Sequence, residues 1–158
     1  GGIINKFMGD AILAVFGVEK EINYVERAVE TAWDIIMHSD SIIMRDGTKF
    51  EIGIGIHNGC AAAGTIGSAD RFEYTFIGDA VNTASRLDGL TKRTKHKIII
   101  SDTVYNNLKR DTQAKFTDLG KQMIRGKSAP IRVYGAAPTT PKQDEKIVKF
   151  DSKKLNRS

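Results

Sequence analysis

The spacing of hydrophobic and polar positions in the first third of the chain predicts two strands and a helix. Apolar runs at residues 3–7 and 11–16 are separated by Gly9-Asp10, which indicates two strands joined by a tight turn. Helical spacing then predicts a helix over residues 23–43, with Asn23 and Glu26 three residues later as its start. The apolar positions that carry this period are Val25, Ala28, Val29, Ala32 and Ile36.

The rest of the chain alternates strand-like and helix-like segments. The period of two in FEIGIGIHNG, residues 50–59, predicts a half-buried strand, and its glycines permit close backbone packing. We expect CAAAGTIGS to be its antiparallel partner. A helix is predicted from about residue 80 to 90, then a strand in HKIIIS, a helix from Ser101 to about Leu108, and two last strands in AKFTDLG and PIRVYGAA. This interleaving predicts an α+β fold with a mostly antiparallel sheet and helices packed on it.

Composition and charge narrow the possible function classes. The chain has 158 residues and a net charge of +5, which suits one globular domain. Residues 139–158 hold six basic and three acidic side chains. We expect this segment to be a flexible polar tail that carries most of the excess positive charge. A nucleic-acid binder places its basic residues on a folded face, so we expect no nucleic-acid partner. The apolar run at residues 11–18 is too short to span a bilayer, and no membrane contact is expected from this segment.

Cys60 is the single cysteine in the sequence, so no disulfide can form within the chain. We expect it to be a buried structural thiol in a strand, and we expect a reducing, cytoplasmic compartment. His57 precedes it, but no further residue has the spacing of a zinc ligand. No zinc site is therefore predicted here.

The two Gly-Asp pairs lie in the segments with the strongest candidate chemistry. Asp10 follows Lys6 by four residues on the predicted hairpin, which can present an acid and a cation at one edge. In the helix after Gly78-Asp79, Asn82 and Arg86 are four residues apart and share a face. A solvated polar face is the simpler interpretation of such a pair, although arginine also suits a phosphate because its planar fork donates two parallel bonds.

Together, NKFMGDAILAVFG and YTFIGDAVNTASRL resemble the catalytic domain of class III nucleotide cyclases, the adenylyl and guanylyl cyclase family. The similarity continues through GIGIHNG and IRGKSAPIRVYG, and Thr75 is typical of a bacterial, bicarbonate-responsive subgroup. The resemblance implies a ferredoxin-like, cyclase-type fold over residues 1–138. It also implies a head-to-tail homodimer with active sites shared between two chains.

The resemblance also implies roles for individual residues. Asp10 matches a metal-binding aspartate, in a site for two Mg²⁺ or Mn²⁺ ions. Lys6 and Thr75 match the purine-selecting positions, and this pair favours ATP over GTP. Asn82 matches the residue that holds the ribose, and Arg86 matches the residue that stabilises charge on the α-phosphoryl group.

Two departures from the family pattern qualify this expectation. The phosphate-binding lysine near the end of the domain aligns with Arg125, and Lys127 follows two residues later. The motif that carries a first metal aspartate is absent from the sequence, so we expect an N-terminally incomplete cyclase domain that belongs to a longer sensor or membrane protein. An adenylyl cyclase is the leading hypothesis. The alternatives are a guanylyl cyclase, a non-catalytic nucleotide-binding or regulatory domain, and a diguanylate cyclase, whose G-G-[DE]-E-F signature is missing.

Overall fold

The computed structural model describes residues 2–18, 22–68 and 71–136, and the predicted tail at 139–158 lies outside this range. The elements follow the order strand, strand, helix, three strands, helix, strand, two short helices and two strands. Their bounds are β1 Ile3–Met8, β2 Ala11–Val15, α1 Tyr24–Asp40, β3 Ile54–Ile56, β4 Ala62–Ser68, β5 Arg71–Ile77, α2 Asp79–Thr94, β6 Ile98–Ser101, α3 Asp102–Tyr105, α4 Arg110–Gln113, β7 Thr117–Gln122 and β8 Ile131–Ala136.

The strands of the described residues form three separate sheets. β1 and β2 form an antiparallel hairpin, β4 and β5 form a second one, and the remaining strands have the order β3-β6-β8-β7. Only the β3–β6 pairing is parallel among the strand pairs that the structure describes. The predicted α+β class and the predominance of antiparallel pairing are therefore confirmed. Instead of one sheet, however, the described strands form a four-stranded sheet and two hairpins.

The core lies on both faces of the four-stranded sheet. Strand β6 is fully buried, because Ile98 and Ile100 face α1 and α3 while Ile99 packs in a second cluster with Leu87 of α2. Alternation of side chains along a strand explains how three consecutive isoleucines serve two layers. Helix α2 carries Asn82 and Arg86. Its packing on one face of β6 holds it against the sheet.

Helix α1 forms as its apolar period predicts, but it ends at Asp40 and its start differs from the expectation. Asn23 has a φ of 66° and its side chain makes no capping hydrogen bond. Glu26 turns inward instead, where it accepts hydrogen bonds from Lys109 N at 3.1 Å and from the Thr112 hydroxyl. The carboxylate therefore secures the start of α4, and α1 begins without a capping box.

The predicted pairing of residues 50–59 with CAAAGTIGS is wrong. Only Ile54–Ile56 forms a strand in that segment, and its partner is β6, while β4 pairs with β5 in a hairpin. The glycine prediction is confirmed at Gly55, where a Cβ would collide with the backbone N of Asp88 and the carbonyl O of Ala84. This close approach holds α2 directly on β3.

Two further expectations are corrected. Cys60 is exposed, because it lies in the loop between β3 and β4 and not within a strand. Ser101 precedes α3, but its side chain makes no capping hydrogen bond to that helix. Its hydroxyl lies 2.8 Å from His57 Nδ1 instead. The helix predicted from Ser101 to Leu108 is correspondingly short and ends at Tyr105.

Candidate active site

The two Gly-Asp pairs have different structural settings. Gly9 and Asp10 form the turn of the β1–β2 hairpin, and Asp10 is exposed there. Gly78 and Asp79 open α2 directly after β5, with Gly78 at φ 158° and ψ 170°. Such backbone angles are essentially restricted to glycine, so Gly78 permits the abrupt change from strand to helix. The first pair thus presents a carboxylate on a turn, and the second positions a helix.

The hairpin that carries Lys6 lies against the strand that carries Thr75. Asn5 Nδ2 donates a hydrogen bond to the Tyr74 carbonyl O at 3.0 Å, and Thr75 Oγ1 lies 3.4 Å from Asn5 Oδ1. Lys6 is half-buried and follows Asn5 in the chain. The backbone of Lys6 therefore lies beside Thr75.

Helix α2 has a buried face and a more exposed face that carries Asn82. Leu87 and Thr83 are fully buried, whereas Asn82 is exposed and Arg86 is half-buried. A methyl group at Gly126 would lie 3.0 Å from Arg86 Nη2, so the guanidinium lies directly against this glycine. The structure thus brings Arg86 to the loop that contains Arg125 and Lys127.

Lys127, and not Arg125, is the cation of this loop that contacts α2. Its ammonium forms an ion pair with the Asp79 carboxylate in the first turn of the helix. That hydrogen bond lowers the pKa of Asp79 below its usual value. Arg125 is exposed. The sequence analysis missed Asp79, although its place after Gly78 at a helix start was visible.

His57 is a second group that sequence reasoning left without a role. Its Nδ1 faces the Ser101 hydroxyl at 2.8 Å, and Thr103 Oγ1 donates to the Asn58 carbonyl O at 2.9 Å. Burial lowers the pKa of His57, and the positive charge of Lys127 lowers it further. The carboxylates of Asp79 and Asp102 act in the opposite direction. The imidazole therefore favours its neutral form and lies within electrostatic reach of the Lys127–Asp79 pair.

The residues near Asp10 give only part of a metal site. Burial raises the pKa of Asp88 on α2, Lys92 opposes this shift, and the Asp10 charge adds to it, so the two carboxylates repel each other. Across the described ranges, no group of three or more histidine, cysteine, aspartate or glutamate side chains is placed to hold a metal ion. Carboxylate oxygen suits Mg²⁺ or Mn²⁺, but each such ion requires about six ligands. These residues alone do not fit two ions.

Comparison with known proteins decides the family. The family model described as the adenylate and guanylate cyclase catalytic domain matches residues 5–136 of the sequence. The chain belongs to the adenylate and guanylate cyclase family. The expected family resemblance is thereby confirmed.

Individual cyclases resemble this chain in sequence and in structure. An adenylate cyclase of Anabaena cylindrica is 34% identical over 139 residues, which cover 85% of this chain and 28% of that protein. The guanylate cyclase domain of RhGC from Catenaria anguillulae, solved with GTP, has a TM-score of 0.72 and 29% identity, and the match covers 88% of this chain and 74% of that one. A bacterial light-regulated adenylyl cyclase has a TM-score of 0.71 and 26% identity, over 92% of this chain and 42% of that one.

Both nucleotide specificities therefore occur among the similar cyclases, and the family by itself does not choose between ATP and GTP. This cyclase domain spans about a quarter of the Anabaena relative. Within the part of the chain that the structure describes, no helix combines the length and apolar character needed to cross a membrane.

Proposed function

We propose that this cyclase domain is the catalytic domain of an adenylyl cyclase, which converts ATP into 3′,5′-cyclic AMP and pyrophosphate for intracellular signalling. The observation that carries the proposal is the contact between β1 and β5. It places Thr75, 6% exposed, beside the backbone of Lys6 through hydrogen bonds of Asn5. These are the two positions at which the family selects its purine.

The chemistry of the two side chains favours adenine. Adenine presents an acceptor at N1 and a donor at N6, while guanine presents a donor at N1 and an acceptor at O6. A lysine ammonium is a donor only, and a threonine hydroxyl can accept. Lys6 would therefore donate to N1 and Thr75 would accept from N6. Guanine would set its N1 donor against the Lys6 ammonium, and a donor left without an acceptor is costly at a polar site that excludes water.

The reaction joins the ribose 3′ oxygen to the α-phosphorus and breaks the bond from that phosphorus to the oxygen bridging the β-phosphate. The proton of the 3′-hydroxyl passes to solvent, and pyrophosphate carries away the electron pair of the broken bond. Such a transfer depends on positioning and charge stabilisation. We assign Arg86 to the charge that develops on the α-phosphoryl oxygens, Asn82 to the ribose, and Lys127 to the departing phosphates. Arg125, exposed beside them, is the weaker candidate.

Divalent ions, Mg²⁺ or Mn²⁺, supply charge neutralisation and nucleophile activation in a two-metal cyclase. We propose Asp10 as one of the ligands. The described residues do not complete a site for two ions.

We further propose that the active site forms in a head-to-tail homodimer, with Asp10 of one chain facing Lys6, Thr75, Asn82 and Arg86 of its partner. Exposed apolar side chains on the hairpins support an interface of this kind, since patches of apolar surface commonly mark association sites. They include Ile4 at 60%, Phe7 at 70%, Ile12 at 57% and Tyr74 at 57% exposure. The ATP substrate favours a cytoplasmic location.

The test is production of cyclic nucleotide from Mn²⁺-ATP and from Mn²⁺-GTP. It uses this chain and the longest natural protein that contains it, because the chain spans only about a quarter of its Anabaena relative. Cyclic AMP as the main product supports the proposal. A preference for GTP contradicts the assignment of Lys6 and Thr75.

A second candidate is a non-catalytic nucleotide-binding cyclase domain. The lack of a group of three metal-ligating side chains among the described residues favours it. ATP binding without turnover, in every length of protein tested, would select this alternative.

A further inference from the structure

Asn5 lies at an irregularity in β1 and joins the two hairpins. Ile4 pairs with Ala14 and Lys6 pairs with Leu13, so Asn5 has no partner of its own in β2 and the register shifts there. An extra residue of this kind forms a bulge, which bends a strand and re-aims a side chain. The Asn5 side chain reaches β5, where Nδ2 donates to the Tyr74 carbonyl O at 3.0 Å.

This bond fixes which end of the Asn5 amide faces Thr75. A backbone carbonyl can only accept, so the group that contacts Tyr74 O must be the NH₂ group. The amide oxygen therefore faces the Thr75 hydroxyl, which donates to it over 3.4 Å. Thr75 is 6% exposed, so water competes little for this bond.

The direction of the bond determines what Thr75 can offer a ligand. A threonine hydroxyl has one proton and two acceptor lone pairs. When the proton points to Asn5 Oδ1, only lone pairs remain for a purine. The 6-amino group of adenine can donate to such an oxygen, whereas the 6-oxo group of guanine finds no proton there.

We propose that Asn5 is a specificity-positioning residue, which holds the Thr75 hydroxyl as an acceptor and thereby favours adenine over guanine. The inference rests on the proposed nucleotide cyclase function and deepens it. Asn5 acts through Thr75 and also precedes Lys6, the other purine-selecting residue. Because Asn5 is the unpaired residue of the bulge, its side chain reaches β5 while Lys6 keeps its pairing with Leu13.

The experiment compares Asn5→Ala and Asn5→Leu with the wild type in the longest natural protein that contains this chain. Leucine keeps the branching of asparagine at Cγ but has neither hydrogen-bonding group, so it fills the space that alanine would leave empty. Two ratios are measured: kcat/KM for ATP over GTP, and affinity for 3′-deoxy-ATP over 3′-deoxy-GTP. The 3′-deoxy nucleotides cannot cyclise, so the second ratio does not depend on turnover.

We expect the preference for adenine to fall about tenfold in both Asn5 variants, within the range of a lost hydrogen bond between buried groups. In a Thr75→Val background the same changes should alter neither ratio, because the hydroxyl that Asn5 orients is gone. Asn107→Ala is the matched control. Asn107 is exposed and its amide also donates to a backbone carbonyl, that of Thr103 at 2.8 Å. It should leave both ratios unchanged.

The proposal is overturned if the adenine preference survives both Asn5 substitutions within about twofold, which is below the effect of one such bond. The proposal is also overturned if substitution of Asn5 lowers the adenine preference equally in the Thr75→Val background, since Asn5 would then act without Thr75. A wild type that binds both 3′-deoxy nucleotides equally overturns it as well. If the proposed cyclase function fails, the result is different. The protein then binds adenine nucleotides selectively and Asn5 controls this selectivity, but no cyclic product forms.

Discussion

Lys127 forms an ion pair with Asp79, which connects the loop before β8 to the first turn of α2. The pair holds the Lys127 ammonium at a helix N-terminus, a place where backbone N–H groups favour anions. Arg86 lies against Gly126 in the same loop. Two cations from distant parts of the sequence therefore converge, and they are the groups to which we assign the phosphates.

Lys127→Ala should reduce activity much more than Arg125→Ala does. We expect kcat/KM for ATP to fall at least about tenfold in the first variant, because a positioned cation near the phosphates is lost. Arg125 is exposed, so Arg125→Ala should change kcat/KM for ATP by less than about twofold. Steady-state kinetics on both variants decides between them. The reverse order would restore Arg125 as the phosphate-binding residue.

His57 should make the stability of the domain depend on pH in the acidic range. Burial lowers the pKa of His57 from the usual 6.5, so the unfolded chain binds the proton more readily than the folded one. Neutral His57 therefore contributes fully to the stability of the folded domain above about pH 6.5. This contribution is lost as the pH falls through the lower pKa of the folded state. Asn in place of His57 keeps a polar group toward Ser101 and does not titrate.

The measurement is the Tm between pH 7.5 and 5. In His57→Asn we expect a shallower decline than in the wild type, while His38→Asn on the exposed face of α1 should follow the wild type. Parallel curves for all three proteins would show that His57 does not carry this dependence.

Complementation should reveal the shared active site. Asp10→Asn and Arg86→Ala are each expected to be inactive as homodimers. An equal mixture should recover about a quarter of wild-type activity, because half of the dimers are mixed and each of those has one intact site of two. The assay is cyclic AMP formation after the two variants are mixed. A mixture that stays inactive, although mixed dimers are detected by differential tagging, contradicts the head-to-tail arrangement.

Glu26→Ala should destabilise the fold without touching the site. The carboxylate is 6% exposed and accepts from Lys109 N and from the Thr112 hydroxyl. Its removal takes the acceptor from the Lys109 N–H and the Thr112 hydroxyl, both in part-buried hydrogen bonds, so we expect the free energy of unfolding to fall by about 1–3 kcal/mol. Urea unfolding measures the change. Glu30→Ala, an exposed glutamate on the same helix, is the control and should cost less than about 0.5 kcal/mol.

Features that depend only on neighbouring residues were predictable from the sequence. The strands around Gly9-Asp10, the apolar period of α1 and the polar face of α2 were all visible, because alternation and helical spacing are local properties. The family was also accessible from the sequence, because the ordered motifs around Lys6, Thr75 and Arg86 resemble those of the cyclase family, whose model matches residues 5–136.

The pairing of strands and the contacts between distant side chains became visible in the folded chain alone. β3 pairs with β6, over 40 residues away, and not with the neighbouring β4, because burial of three isoleucines on β6 outweighs proximity along the chain. The contacts of Thr75 with Asn5, and of Lys127 with Asp79, join segments separated by 70 and 48 residues. Such contacts follow from the packing of whole elements, which no local period encodes.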